Sequence, residues 1–129
     1  MKKYENFQRA LENLKKIESV EPPYDTITLT GMVALFEICF EQSWKAMKEL
    51  LEYSGYSEAW MGSPRSILKL AYQAGMIDDE AIWLQALQDR NDVTHSYNEN
   101  IALRIINDCK TNYLPIFIKL QASMEKNWL

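Results

Sequence analysis

Arg90, His95 and Tyr97 fall within one octet, RNDVTHSY, and His95 is the only histidine in the chain. These types make a set suited to phosphate chemistry: a permanently charged guanidinium fork, an imidazole that exchanges a proton near neutrality, and a phenolic hydroxyl. In a metal-free RNA cleavage, His95 would activate a ribose 2′-hydroxyl or protonate the leaving oxygen, while Arg90 stabilises charge gathering at phosphorus and Asn91 orients the phosphate. The plainer reading of His95 is a residue near a helix C-terminus that favours the dipole or bonds a free carbonyl. On one uninterrupted helix, residues five apart diverge by roughly 140°. The octet makes a site only if a helix ends near His95 and a new one begins.

The flanking sequence predicts such a junction. Ile82, Trp83, Ala86, Leu87 and Val93 form a helical apolar stripe running into the octet, with Asp78 able to cap its start. Ser96 and Glu99 then have capping-box spacing, and Ala102, Ile105, Ile106, Cys109, Tyr113, Ile116, Phe117 and Leu120 carry a helix toward the C-terminus. Pro115 should kink it, because it cannot donate to residue 111.

Upstream, Tyr4, Phe7, Leu11, Leu14 and Ile17 mark a first helix over 2–19, which SVEPPYDT ends through its adjacent prolines. A long amphipathic helix comes next over 29–53, carrying Met32, Val33, Phe36, Phe40, Trp44, Met47 and Leu51. A short helix restarts at Ser63 and Pro64 and closes at Gly75 with a left-handed cap. Four long helices and one short connector, without strand alternation or repeats, predict an all-α single domain over 1–129: an antiparallel up-and-down four-helix bundle with a short extra connecting helix.

Composition narrows the function. A net charge of −4 argues against a broad basic surface that grips nucleic acid non-specifically. A local basic pocket remains open among Arg65, Lys69, Arg90 and Arg104, whose ordinary explanation is a solvated helix face. Phosphate-cradling glycine loops, HExxH, Cys/His metal sets and nucleophile elbows are missing from the sequence, so no metal or cofactor is expected. Asp78, Asp79 and Glu80 are explained by a helix start better than by a metal. Cys39 and Cys109 lie on apolar helical patterns and are expected as reduced core residues. With no apolar leader and no run long enough to span a bilayer, the chain reads as cytoplasmic and free of membrane.

Beyond the octet, FEICFEQSWKAMKELLE, SPRSILKLAYQAGMIDD, WLQALQDRNDVTHSYNE and YLPIF resemble the HEPN superfamily, and within it the nucleotidyltransferase substrate-binding proteins of bacteria and archaea. The resemblance implies a helical bundle that forms a homodimer through its motif-bearing face, with Arg90 and His95 of both copies lining a shared cleft. It further implies a partner, a minimal nucleotidyltransferase encoded by an adjacent gene. Related HEPN proteins are RNase toxins of toxin–antitoxin pairs. By that likeness Arg90 and His95 would cleave RNA, and Tyr97 would receive a nucleotide from the antitoxin.

Overall fold

The computed structural model describes residues 1–129, and its regular structure is entirely helical. α1 (Lys2–Lys15) runs into a 3-10 turn (Lys16–Ser19). Next come α2 (Thr26–Tyr53), a second 3-10 turn (Ser57–Met61), α3 (Pro64–Gln73), α4 (Glu80–His95), α5 (Glu99–Asp108) and α6 (Leu114–Asn127). A π-helical turn (Cys109–Tyr113) joins α5 to α6, so the last two form one helical run.

Packing, not propensity, sustains these helices. A helix the length of α1 is marginal alone in water, but each large apolar side chain removed from water contributes ~1.5–3 kcal/mol. All five residues of the expected first stripe are buried, four on α1 and Ile17 in the turn after it, and α1 lies along α2. Rings link the layers: Phe7 of α1 meets Phe117 of α6 at 6.5 Å, Phe117 meets Trp83 of α4 at 5.3 Å, and Trp83 meets Phe40 of α2 at 6.3 Å. Cys39 and Cys109 are free thiols within this core. Burial holds both protonated, pushing the Cys109 thiol up to about 12.

The helix ends differ from expectation in four places. α2 begins at Thr26, ahead of the expected Leu29, because the Asp25 carboxylate accepts the Thr28 N–H at 2.7 Å. At α4, Asp79 occupies the cap position in place of Asp78, and neither carboxylate caps; both take Lys119, at 3.0 and 3.4 Å. Ser96 does not begin α5. Its N–H still bonds Asp92 at 2.8 Å as the end of α4, and Asn98 caps α5 by accepting from Ile101 at 2.9 Å. Glu99 thus falls in the first turn, where its charge favours the dipole. At Pro115 the run is accommodated by the preceding π turn, in which the Leu114 N–H reaches back to the Cys109 carbonyl. The restart at Ser63–Pro64 has the expected cap, completed by Ser66, and Gly75 has the left-handed φ of +82°.

One charged group lies wholly inside. Asp89 on α4 is fully buried; its Oδ1 accepts from Arg104 at 3.1 Å and Gln85 at 3.2 Å, and its Oδ2 from the Tyr113 hydroxyl. A buried carboxylate persists only when its lone pairs are met in this way. Tyr113, stacked on Phe36 at 5.4 Å, is pushed above the usual tyrosine range by burial first and by its bond to Asp89 second.

Asp89→Ala, which strands Tyr113 and Arg104, should lower the unfolding free energy by about 3 kcal/mol in urea titrations near pH 7. The raised Tyr113, Cys39 and Cys109 pKa values mean the folded chain keeps protons that the unfolded chain releases. Stability is then fully present below about pH 8.5 and falls as pH rises beyond it. Tyr113→Phe should flatten the part of that loss above about pH 10 in the same titrations repeated at alkaline pH.

Candidate functional site

α4 ends at His95, as the octet requires, and its last two turns lie beside the middle of α2. Between them opens a cleft of about 390 Å³ lined by Arg90, Asn91, Thr94 and His95 from α4 and by Glu37, Ile38 and Glu41 from α2. Arg90, Asn91 and His95 are therefore brought together. The break after His95 is not what gathers them, since both Arg90 and His95 are still helical; they share the cleft as its two sides, with Asn91 and Thr94 between.

The guanidinium of Arg90 is already engaged. Its Nη2 donates to Glu41 Oε2 at 2.5 Å and its Nη1 to Asn91 Oδ1 at 3.1 Å. The same Glu41 oxygen accepts the indole N–H of Trp44 at 3.1 Å, and its other oxygen lies 3.5 Å from Lys45. Glu37 accepts from the Thr94 hydroxyl at 3.3 Å. The cleft lining thus presents two carboxylates and one permanent cation, with Lys45 beside it against the second Glu41 oxygen. Glu41 offsets the charge with which Arg90 would meet a phosphate, while His95 stands exposed at the rim.

Tyr97 is apart from this group. Two residues beyond α4, it is 47% exposed and its hydroxyl pairs with Thr30 Oγ1 at 2.9 Å, near the start of α2. Thr30 and Glu37 lie seven residues apart on α2, roughly 10 Å along its axis. The residue is exposed and its hydroxyl is separate from the groups that touch Arg90.

Sequence reasoning missed Glu37, Ile38 and Glu41. They lie about fifty residues from the octet, and the four-residue spacing of Glu37, Glu41 and Lys45 reads as an ordinary solvated face. Asp78 and Asp79, the other charged cluster, flank Lys119 and not this cleft.

The sequence model of the family described as "nucleotidyltransferase substrate binding protein like" matches residues 2–126. The chain belongs to that family. Among solved structures, this nucleotidyltransferase substrate-binding-like protein is similar to a Thermus thermophilus protein at 26% identity and a TM-score of 0.73, covering 95% of this chain and 98% of that one. It is also similar in fold, at 20% identity and a TM-score of 0.80 with the same coverage, to the Haemophilus influenzae protein HI0074. The structure of HI0074 is described as revealing the fold of a substrate-binding domain of a nucleotidyltransferase. None of the curated proteins matches the chain. No helix is long and apolar enough to cross a membrane.

Because Glu41 holds Arg90, Glu41→Gln should strengthen inorganic phosphate binding at the cleft about fivefold, equivalent to ~1 kcal/mol for a part-exposed pair. The shifts of the Asn91 and His95 NMR signals on phosphate titration would report it. Equal affinity in the two proteins would show that the guanidinium is free to bind anions in the parent chain.

Proposed function

We propose that this protein is the substrate-binding subunit of a separate minimal nucleotidyltransferase encoded beside it, holding the acceptor substrate while the partner transfers the nucleotide. The observation that carries this reading is the family match over residues 2–126, essentially the whole chain. In the same reading the chain is a HEPN-type antiparallel up-and-down four-helix bundle working in the cytoplasm, where the buried free thiols of Cys39 and Cys109 stay reduced. Tyr97 is an acceptor candidate by virtue of its exposed side chain, whose hydroxyl pairs only with the Thr30 hydroxyl.

The reading includes a homodimer. Ile27, Gly31, Ala34 and Ile38 succeed one another along α2 at steps of four, three and four, the seam spacing of paired helices, and all four are exposed. A Cβ placed on Gly31 would meet nothing within 4 Å, so a second helix has room to approach. An antiparallel pairing sets Ile27 against Ile38 of the other copy and would bring the two clefts side by side.

Arg90 and His95 on one cleft favour a second reading, a metal-independent endoribonuclease toxin neutralised by the nucleotidyltransferase as antitoxin. The Glu41 and Glu37 carboxylates weigh against it, because they repel an RNA phosphate.

Co-expression with the neighbouring nucleotidyltransferase should yield a complex that survives size-exclusion chromatography at micromolar concentration; two separate peaks would reject the pairing. Ala34→Arg should convert the protein alone from dimer to monomer by light scattering. Expression in cells separates the toxin reading: growth arrest relieved by Arg90→Ala and by His95→Ala would favour it, and unimpeded growth of cells making the parent chain would oppose it.

A further inference from the structure

The 3-10 turn Ser57–Met61 does something unusual with its apolar residues. Ala59 is fully buried, whereas Trp60 and Met61 beside it are 71% and 86% exposed. Single exposed apolar side chains are ordinary, but two large ones adjacent on one turn form a contiguous apolar patch, the kind of surface that marks contact sites.

Their presentation is rigid. The Gly62 N–H bonds the Ala59 carbonyl at 3.0 Å, closing the turn. A side chain at Gly62 would strike the buried Ile67, whose Cγ1 lies 2.7 Å from the Cβ position, so only glycine lets the chain pass so close to α3. The reciprocal Ser63–Ser66 capping box then fixes the entry to α3. A turn tied at both ends loses little freedom on binding, which favours affinity.

The charges around it have one sign. Arg65, in the first turn of α3, and Lys69, one turn on along the same face, are exposed, and neither takes part in an ion pair. From Ser54 to Ile77 the only acid is Glu58, in a chain whose net charge is −4. Two cations thus follow the exposed tryptophan and methionine within nine residues of chain, and the cleft between α2 and α4 uses neither of them.

We propose that Trp60 and Met61, flanked by Arg65 and Lys69, form the surface by which this protein docks an acidic face of its nucleotidyltransferase, with the two apolar side chains seated in a socket on that partner. The inference rests on the pairing proposed above and goes beyond it by naming the contact. Tryptophan and arginine are the residues that most often dominate protein interfaces, and an oppositely charged rim sets the rate of encounter. Reach is compatible with function: the end of α2 at Tyr53, four residues before the turn, lies roughly 18 Å along the helix from Glu41. A body of even 100 residues, with a radius of gyration of ~13 Å, can extend over that distance.

The experiment measures the Kd of the purified parent protein and its variants for the co-encoded nucleotidyltransferase at two salt concentrations, with thermal midpoints as a folding control. Trp60→Ala with Met61→Ala should weaken binding about 30-fold or more at unchanged midpoint. Arg65→Glu with Lys69→Glu should weaken it about tenfold at low salt and remove most of the salt dependence. A parent complex whose Kd is untouched by either pair overturns the surface and leaves the pairing standing. No complex with the parent chain overturns the pairing and the surface together. Variants that bind the nucleotidyltransferase normally but dissociate the protein's own dimer, or lose RNA retention on a filter, would assign the patch to a second copy or to nucleic acid and overturn the proposal.

Discussion

The buried carboxylate of Asp89 is the constraint around which α4 is set. It sits among three donors from α4, α5 and the π turn, and a charge so placed tolerates no partial arrangement: either all its partners are present or it is expelled toward water. Arg90, the next residue, lies about 100° further round the helix and meets Glu41 on α2. Adjacent residues of one helix thus anchor it in two directions, inward to the C-terminal helical run and sideways to α2. The position of the cleft is the geometric result.

That arrangement also fixes the character of the cleft. An arginine paired with a glutamate in a part-buried setting is a hydrogen-bonding plate with little net charge, and a second carboxylate one turn away tips the balance toward negative. The octet alone suggests anion chemistry; the neighbouring helix alters what the same residues can attract.

Much of the fold was legible because its apolar residues repeat at helical spacing over long stretches, and every residue of the expected first stripe proved buried. The ends were harder. Asp78, Asp79, Ser96 and Asn98 are all competent caps, but Lys119, remote in sequence, takes both aspartates away from capping, and the three residues between α4 and α5 leave Asn98 in place of Ser96 as the cap. The cleft was half legible: Arg90, Asn91 and His95 announced themselves by type and proximity. Glu37 and Glu41 did not, since a carboxylate at helical spacing is commonplace until its cross-helix neighbour is known. Asp89 was hidden for the same reason, being an acid placed among apolar residues whose partners lie fifteen and twenty-four positions away.

The π turn at Cys109–Tyr113 gives the final helix a change of phase. A π turn holds one residue more than an α turn, and the added residue rotates α6 by roughly 100° relative to α5. Here this leaves both Tyr113 and Leu114 buried, the former aimed at Asp89. The buried positions nevertheless keep one spacing across the turn, from Ala102 and Ile105 through Cys109 and Tyr113 to Ile116, Leu120 and Met124, and the rotation lets α6 face α1 where α5 faces α2. The turn is thus the point at which one apolar stripe passes from packing on α2 to packing on α1.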